Sequence, residues 1–158
     1  MEFDHEQQQR THGKVAEYLE ELFDSPFLDE ETGHFFVRYG TTVLEIFVEP
    51  HGPEEAAVMI VAYCVQDVEL QEDLLLGLLE VNHQLPFGSF SLVGQDIFLS
   101  QSLLGRSLDA RSLLRIIEAV ATISDEYDDR IVAKFGGQTA VEKIRDTGSP
   151  QEAATDED

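Results

Sequence analysis

The chain has 158 residues, enough for one domain with its own core, and 42% of them are hydrophobic, as in most soluble globular proteins. A formal net charge of −22 makes nucleic acid and anionic membranes poor partners. The only cysteine, Cys64, excludes a disulfide or a cysteine metal cluster within one chain, and this usage is typical of a reducing, cytoplasmic compartment.

The charge and the apolar segments also bear on membranes and partners. The longest apolar stretch, 74–81, is too short to cross a bilayer, so we expect no membrane association. The N-terminal residues MEFDHEQQQR are acidic and polar, unlike a secretory signal peptide. The acidic surface has two interpretations: it serves solubility, including in a salty cytoplasm, or it attracts basic segments of a client protein.

The first predicted element is a helix over 11–23. Its apolar residues recur at the spacing i, i+3, i+4, i+7, i+8, which gives one apolar helical face. These residues are Val15, Tyr18, Leu19, Leu22 and Phe23. Ser25-Pro26 ends the helix, because the residue before a proline avoids helical angles. The range 1–10 has little apolar content, and we expect it to be a flexible N-terminus.

The range 33–65 is typical of three strands in a meander, rich in β-branched and aromatic residues. Gly40-Thr41 is short enough for a hairpin turn, and Pro50 and Pro53 mark the next connection. The third strand, 56–65, is apolar on both faces, so we expect a central position with cover on both sides. A buried helix is the rival interpretation of this run, but its valines and isoleucine favour a strand.

A second helix is predicted over 70–85, followed by a hairpin. The broad apolar surface of this helix implies burial on more than one side, against the rest of the domain and against a second subunit. Its apolar residues are Leu74, Leu75, Leu78, Leu79 and Val81. Two strands follow, with Gly94-Gln95 as the two-residue turn between them.

The last predicted helix runs unbroken to Phe135, with Asp109 as its N-cap and Gly136-Gly137 as its end. A short helical turn is predicted over 140–145. The range 146–158 is rich in acids and small residues and is predicted to be a disordered acidic tail. The domain itself is therefore predicted to span 11–145.

We find no combination of residues that indicates catalysis, a metal or a cofactor. His5 and His12 are seven residues apart, whereas paired helical metal ligands are spaced by three or four. The acids at 125–129 lack the glycine and the downstream glutamate of a calcium loop. Ser89 follows a glycine but lacks the second glycine of a nucleophile elbow. We therefore expect a non-enzymatic protein without a cofactor.

The predicted order is α-βββ-α-ββ-α, and a set of turn and core residues completes the pattern. These are Asn82, Pro86-Phe87-Gly88, Phe90, Leu103, Leu104, the range 125–128 and Phe135-Gly136-Gly137. With these residues the chain resembles the YbjN family, which is similar in fold to the class I chaperones of type III secretion. The resemblance covers most of 35–137. It implies an α+β fold with an antiparallel meander sheet.

The resemblance implies a peptide- or protein-binding role, often as a small acidic homodimer that holds part of a client extended on its surface. We therefore expect a chaperone or assembly factor for a specific client protein, for example the terminal extension of a subunit in a larger complex. The alternative is a small-molecule or signal-sensing regulatory protein, with an apolar pocket between the first helix and the sheet.

Two sets of surface residues are predicted. Contacts to the client are expected on the first sheet and the first helix, at Val37, Phe47, Met59, Val61 and Tyr18. The resemblance implies that a dimer forms around the middle helix and the second hairpin, at Leu75, Leu79, Phe90 and Leu92. The apolar surface of 74–81 independently indicates the same interface.

Overall fold

The protein is an antiparallel sheet with two long helices packed on one of its faces and a shorter helix that packs into the same core. A computed structural model describes residues 1–140 and 142–143. In chain order the elements are α1 (Glu6–Leu22), β1 (Phe27–Leu28), β2 (Phe35–Tyr39), β3 (Thr42–His51), β4 (Glu55–Gln66), α2 (Glu72–Gln84), β5 (Ser89–Val93), β6 (Asp96–Leu104), a one-turn 3-10 helix (Gly105–Ser107), α3 (Ala110–Phe135) and β7 (Gln138–Thr139). The α+β prediction is confirmed, and the short strands β1 and β7 are added to the predicted order.

The strand order in the sheet is β1-β2-β3-β4-β6-β5, and β7 pairs with the far end of β4. Every pair is antiparallel, and β4 lies at the centre between β3 and β6. Both predicted two-residue turns are present, because Tyr39 pairs with Thr42 and Val93 pairs with Asp96. The turn glycines Gly40 and Gly94 both have φ of +61°, which favours glycine.

The main core lies between the sheet and the two long helices. Alternate residues of the strands point toward the helices, because side chains of a strand alternate between its faces. The fully buried residues at this interface include Val15 and Leu19 of α1, Leu113, Ile117 and Val120 of α3, and Leu44, Ile46, Val58 and Ile60 of the sheet. Side chains therefore fill the middle of the space between α1 and the sheet, where the alternative of a small-molecule sensor requires a pocket. A cavity of about 340 Å³ lies at the end of α1, beside Val37 and Arg38 of β2.

Helix α1 begins earlier than its apolar spacing predicts. His5 is its N-cap, and its Nδ1 accepts a hydrogen bond of 3.1 Å from the backbone N–H of Gln8. The side chain of Gln8 donates to the carbonyl of Val48 at 3.1 Å, which ties this first turn to β3. The range 1–10 thus contains helical residues, held by polar contacts that hydrophobic periodicity does not report.

Helix α3 has the ends that the sequence predicts. The carboxylate of Asp109 accepts from the N–H of Ser112 at 2.7 Å, and the helix ends at Gly136, whose φ is +79°. Gly137 then brings β7 beside β4: a Cβ at this position would lie 2.6 Å from the carbonyl oxygen of Gln66. Of the turn predicted over 140–145, residues 140, 142 and 143 are helical and the others lie outside the described residues, as does the predicted tail 146–158.

Candidate functional site: the open face of the sheet

The face of the sheet turned away from α1 and α3 carries a shallow apolar cavity of about 280 Å³. We call this surface the open face. The cavity is lined by Glu45, Phe47, Met59, Val61, Tyr63, Ser91, Val93, Phe98 and Ser100. The register brings them together, since Phe47 pairs with Met59, Val61 with Ser100, and Phe98 with Ser91. Four strands, β3, β4, β6 and β5, therefore contribute to one surface.

The residues in the middle of the open face are apolar and only partly covered. Phe47, Met59 and Val61 are half-buried, and Val93 at the edge is 55% exposed. Apolar side chains at the centre of a sheet are normally covered by a second layer. In the described part of the chain, neither α1 nor α3 lies over this face, so these side chains meet solvent.

An acidic group is built into this apolar surface. The carboxylate of Glu45 accepts hydrogen bonds from Nδ1 of His34 and from the hydroxyl of Tyr63. The ring of His34 stacks on Phe47, with centroids 4.5 Å apart and planes 14° from parallel. Because β3, β4 and the residue just before β2 supply these groups, the sheet fixes the position of the carboxylate at the edge of the cavity.

One end of the open face is closed by a small second core. The ring of Tyr63 meets Phe98 edge to face at 5.0 Å, and Phe36 and Val43 pack beside them. Ala140, which follows β7, completes this cluster and is 1% exposed. Among the described residues, the return of the chain after α3 therefore covers the Tyr63 end of the face and does not cover the Met59 end.

Of the five predicted client contacts, the structure brings three together. Phe47, Met59 and Val61 all line the cavity on the open face. Val37 is 4% exposed and belongs to the main core, on the opposite face of the sheet. Tyr18 lies on α1 and packs against that same core. Val37 and Tyr18 are therefore separated from the other three by the thickness of the sheet.

The predicted dimer residues are divided in the same way. Leu79 is 66% exposed and Leu92 is 39% exposed, whereas Leu75 is half-buried. Phe90 is buried, and its ring meets the edge of Tyr127 at 5.4 Å. Only Leu79 and Leu92 thus present a large apolar area to solvent.

Asn82 joins β5 to α2. Its Oδ1 accepts from the N–H of Phe90 at 2.6 Å, and its Nδ2 donates to the carbonyl of Phe90 at 3.1 Å. One side chain therefore satisfies both backbone groups of a residue on the edge strand. The role of Asn82 in the sequence pattern is structural.

The outer side of α2 forms a second exposed apolar surface. Leu74 is the buried residue of this 13-residue helix, while Leu76 is 51% exposed and lies beside Leu79. A cavity of about 460 Å³ runs along the two leucines and is also lined by Glu80, His83 and Gln84. A Cβ added to Gly77 would meet no atom within 4 Å, so a neighbouring backbone has room to approach.

Two buried groups on the helix side of the sheet have altered acidity. Burial raises the pKa of the Cys64 thiol to about 12, so this cysteine stays protonated and is a poor nucleophile. Burial also raises the pKa of Asp128 to about 6; this carboxylate is 1% exposed and accepts a hydrogen bond of 3.1 Å from Thr41. Both groups contact neighbouring backbone or side-chain atoms and open onto no cavity that we identify among the described residues.

Sequence reasoning missed several residues of the open face. Phe98, Val93, Glu45 and His34 were not predicted as contacts, although Phe98 alternates with its neighbours in a predicted strand. The contact between His34, Glu45 and Tyr63 depends on the register of three strands, which the sequence pattern does not specify. Across the described residues, no three His, Cys, Asp or Glu side chains are arranged to hold a metal ion, and no helix has the length and apolarity to span a membrane.

Comparison with known proteins gives two kinds of match. A family model described as T3SS (YopN, CesT) and YbjN peptide-binding chaperone 1 matches residues 9–143. No curated protein matches the chain. Among solved structures, the ExsC-ExsE complex contains a chain similar to this one with a TM-score of 0.62 and 14% identity, covering 78% of this chain and 95% of that chain. The HopA1-SchA chaperone-effector complex also contains a similar chain, with a TM-score of 0.57 and 12% identity. The match covers 74% of this chain and 91% of that chain.

Proposed function

Because the chain belongs to the T3SS and YbjN family of peptide-binding chaperones, we propose that it holds a segment of a client protein on the open face of its sheet. The resemblance to the YbjN family is thereby confirmed, and so is the expectation of a chaperone-like binding module. The observation that carries the assignment to this face is the row of half-buried apolar side chains, Phe47, Met59 and Val61, at the centre of a sheet.

Binding without catalysis is the simplest chemistry for this surface. Its side chains are apolar groups, serine hydroxyls, the hydroxyl of Tyr63 and one carboxylate that already accepts two hydrogen bonds. Such a surface excludes water from an apolar partner and offers no activated nucleophile. We propose that the protein is not an enzyme and acts in the cytoplasm, in keeping with its single, buried cysteine.

We also propose that two copies associate through the outer side of α2. Two leucines there, Leu76 and Leu79, are more than half exposed, and exposed apolar stripes on helices commonly mark interfaces. Gly77 leaves room for close approach of a second helix. This surface lies on a different element from the open face, so one protein can use both at once. The charge of −22 makes nucleic acid and anionic membranes unfavourable partners for either surface.

Site-specific photo-cross-linking in a lysate of the native host tests the client surface. We expect a benzophenone amino acid in place of Phe47 to form adducts with a recurring client segment, whereas the same group in place of the exposed Glu17 on α1 does not. Excess unlabelled protein should compete these adducts away, and excess Met59→Ser protein should compete less well. Identical adducts from both positions would show that the open face is not the client surface.

A further inference from the structure

Most of the backbone of the open face is already hydrogen-bonded within the sheet, which limits what can lie on it. Strand β4 pairs with β3 and β6, whereas β3 pairs with β2 only over 42–46 and β6 pairs with β5 only over 96–100, so among the described strands the remaining parts of β3 and β6 are paired on one side. An extended segment gains main-chain hydrogen bonds only at the edge of a sheet. Over this face its buried N–H and C=O groups would lack partners, and each such group costs free energy. A helix satisfies its own main chain, so it can bury side chains here without that cost.

The size of the cavity also fits a short helix. Its lining residues come from four adjacent strands, from Phe47 on β3 to Ser91 on β5. With strands spaced by about 4.8 Å, this distance is roughly 14 Å. A helix rises about 1.5 Å per residue, so roughly ten residues cross the face. A helix of about three turns therefore spans the cavity from one side to the other. Three or four anchors at spacings of three and four residues would then contact the cavity.

The negative charge of the surface favours a positively charged bound segment. Glu45 is the charged residue in the lining, and its side chain is 15% exposed. Glu49 lies four residues further along β3, on the same side of the strand, and is exposed. No lysine or arginine is among the residues that line this cavity. A cation over Glu45 would be attracted by this carboxylate and, at longer range, by the net charge of −22.

We infer that the open face takes a cationic amphipathic helix of about three turns from the client. Its apolar stripe packs on Phe47, Met59 and Val61, and a lysine or arginine lies over Glu45. This inference rests on the proposed function, since it specifies the form and charge of the segment that this chaperone holds. An extended segment paired with the edge strand β5, or a second copy of the chain, is the competing occupant.

Three labelled synthetic peptides of about 15 residues, offered to the full-length protein, test the inference. The first is a leucine and lysine peptide with leucines at helical spacing, the second has the same composition in permuted order, and the third replaces the lysines with glutamates. Fluorescence anisotropy measures affinity at about 150 mM salt, where steering of distant charges is screened. Far-UV circular dichroism measures the helix gained on binding. We expect the first peptide to bind at least about tenfold more tightly than the others and to become helical.

The affinity of the peptide for variants of the protein shows where on the surface the peptide binds. We expect Met59→Ser and Val61→Ser to raise the Kd of the first peptide about tenfold, because each removes an apolar contact. Glu45→Gln should raise it about threefold, while the control Glu17→Gln, with the same change of charge away from the face, changes it less than about twofold. Circular dichroism of each variant checks that the fold is kept.

Each alternative outcome identifies a different error. Equal binding of the permuted or the acidic peptide, or a bound peptide without helix, overturns the inference and leaves the proposed function intact if the Phe47 adducts persist. Affinities that do not respond to Met59 and Glu45 place the peptide elsewhere and also overturn it. Loss of self-association in Met59→Ser would assign the open face to a second copy of the chain. Loss of the Phe47 adducts themselves would overturn the proposed function.

Discussion

The two faces of the sheet are built from the same strands but differ in how far their side chains are buried. On one face, Val58 and Ile60 are completely buried beneath α1 and α3. On the other, Met59 and Val61 come from the same strand, carry similar side chains and remain half-exposed. The apolar side chains on one side of β4 are therefore not fully buried in the folded protein. They make the open face a candidate for binding, because a bound partner removes them from water.

The largest expected effect compares one substitution on the two faces. Val58→Ala should lower the free energy of unfolding by about 2 kcal/mol, because it leaves a cavity in a packed core. Val61→Ala, on the same strand, should lower it by about 0.5 kcal/mol, because the site is open to solvent. Urea denaturation of both variants measures the difference. Equal losses would mean that the open face is covered in the free protein.

The next effect distinguishes the open face from the exposed side of α2. We expect Leu79→Ser to weaken self-association about tenfold, because it removes an apolar contact that symmetry repeats in the other copy. Analytical ultracentrifugation over a range of concentrations measures it, with Leu79→Met as the control that keeps the apolar area. The affinity for the cationic peptide should not change. A wild-type protein that is monomeric at micromolar concentration would contradict the dimer.

The smallest expected effect compares Asp128, on the helix side of the sheet, with Glu45 on the open face. The pKa of Asp128 is raised by burial to about 6, so between pH 4 and 6 the folded protein holds a proton that the unfolded chain has released. The stability that this proton linkage contributes is complete at low pH and is lost as the pH rises through about 6. We therefore expect Asp128→Asn to raise the Tm by about 2–4 °C at pH 7.

The same variant should have a Tm close to that of the wild type near pH 4, where the aspartic acid is also neutral. Scanning calorimetry across this range checks the trend. Glu45→Gln serves as the comparison on the open face: it replaces a carboxylate that accepts hydrogen bonds from His34 and Tyr63, so we expect it not to raise the Tm. A benefit of Asp128→Asn that grows as the pH falls would contradict the assignment.

Much of the fold follows from local chemistry in the sequence. The end of α3 is specified by Gly136, and its start by the carboxylate of Asp109. The hairpin at Gly94 follows from the steric freedom of glycine. The short strands β1 and β7 were not predicted, because two residues are too few for a periodic pattern.

The candidate site was predictable only in part, for a related reason. Strand β4 is apolar on both sides, which predicts a central strand with cover on both faces and does not by itself distinguish Met59 and Val61 from core residues. Phe36 and Val37 are also both apolar, so the sequence does not show which of them faces the helices. In the structure Val37 does, and Phe36 belongs to the opposite face. The side of the sheet on which α1 packs is a tertiary property, and it decides which alternating residues remain exposed.

The strand order β3-β4-β6-β5 affects when the proposed binding surface forms during folding. The hairpin of β3 and β4 is local in sequence, as is the hairpin of β5 and β6, whereas the pairing of β4 with β6 joins strands that α2 and β5 separate in sequence. Such non-local pairing is slow compared with hairpin formation. Because the cavity has walls from both hairpins, it is completed only by this long-range pairing. On the proposed function, a client bound to this face stabilises the completed sheet by mass action and not its precursors.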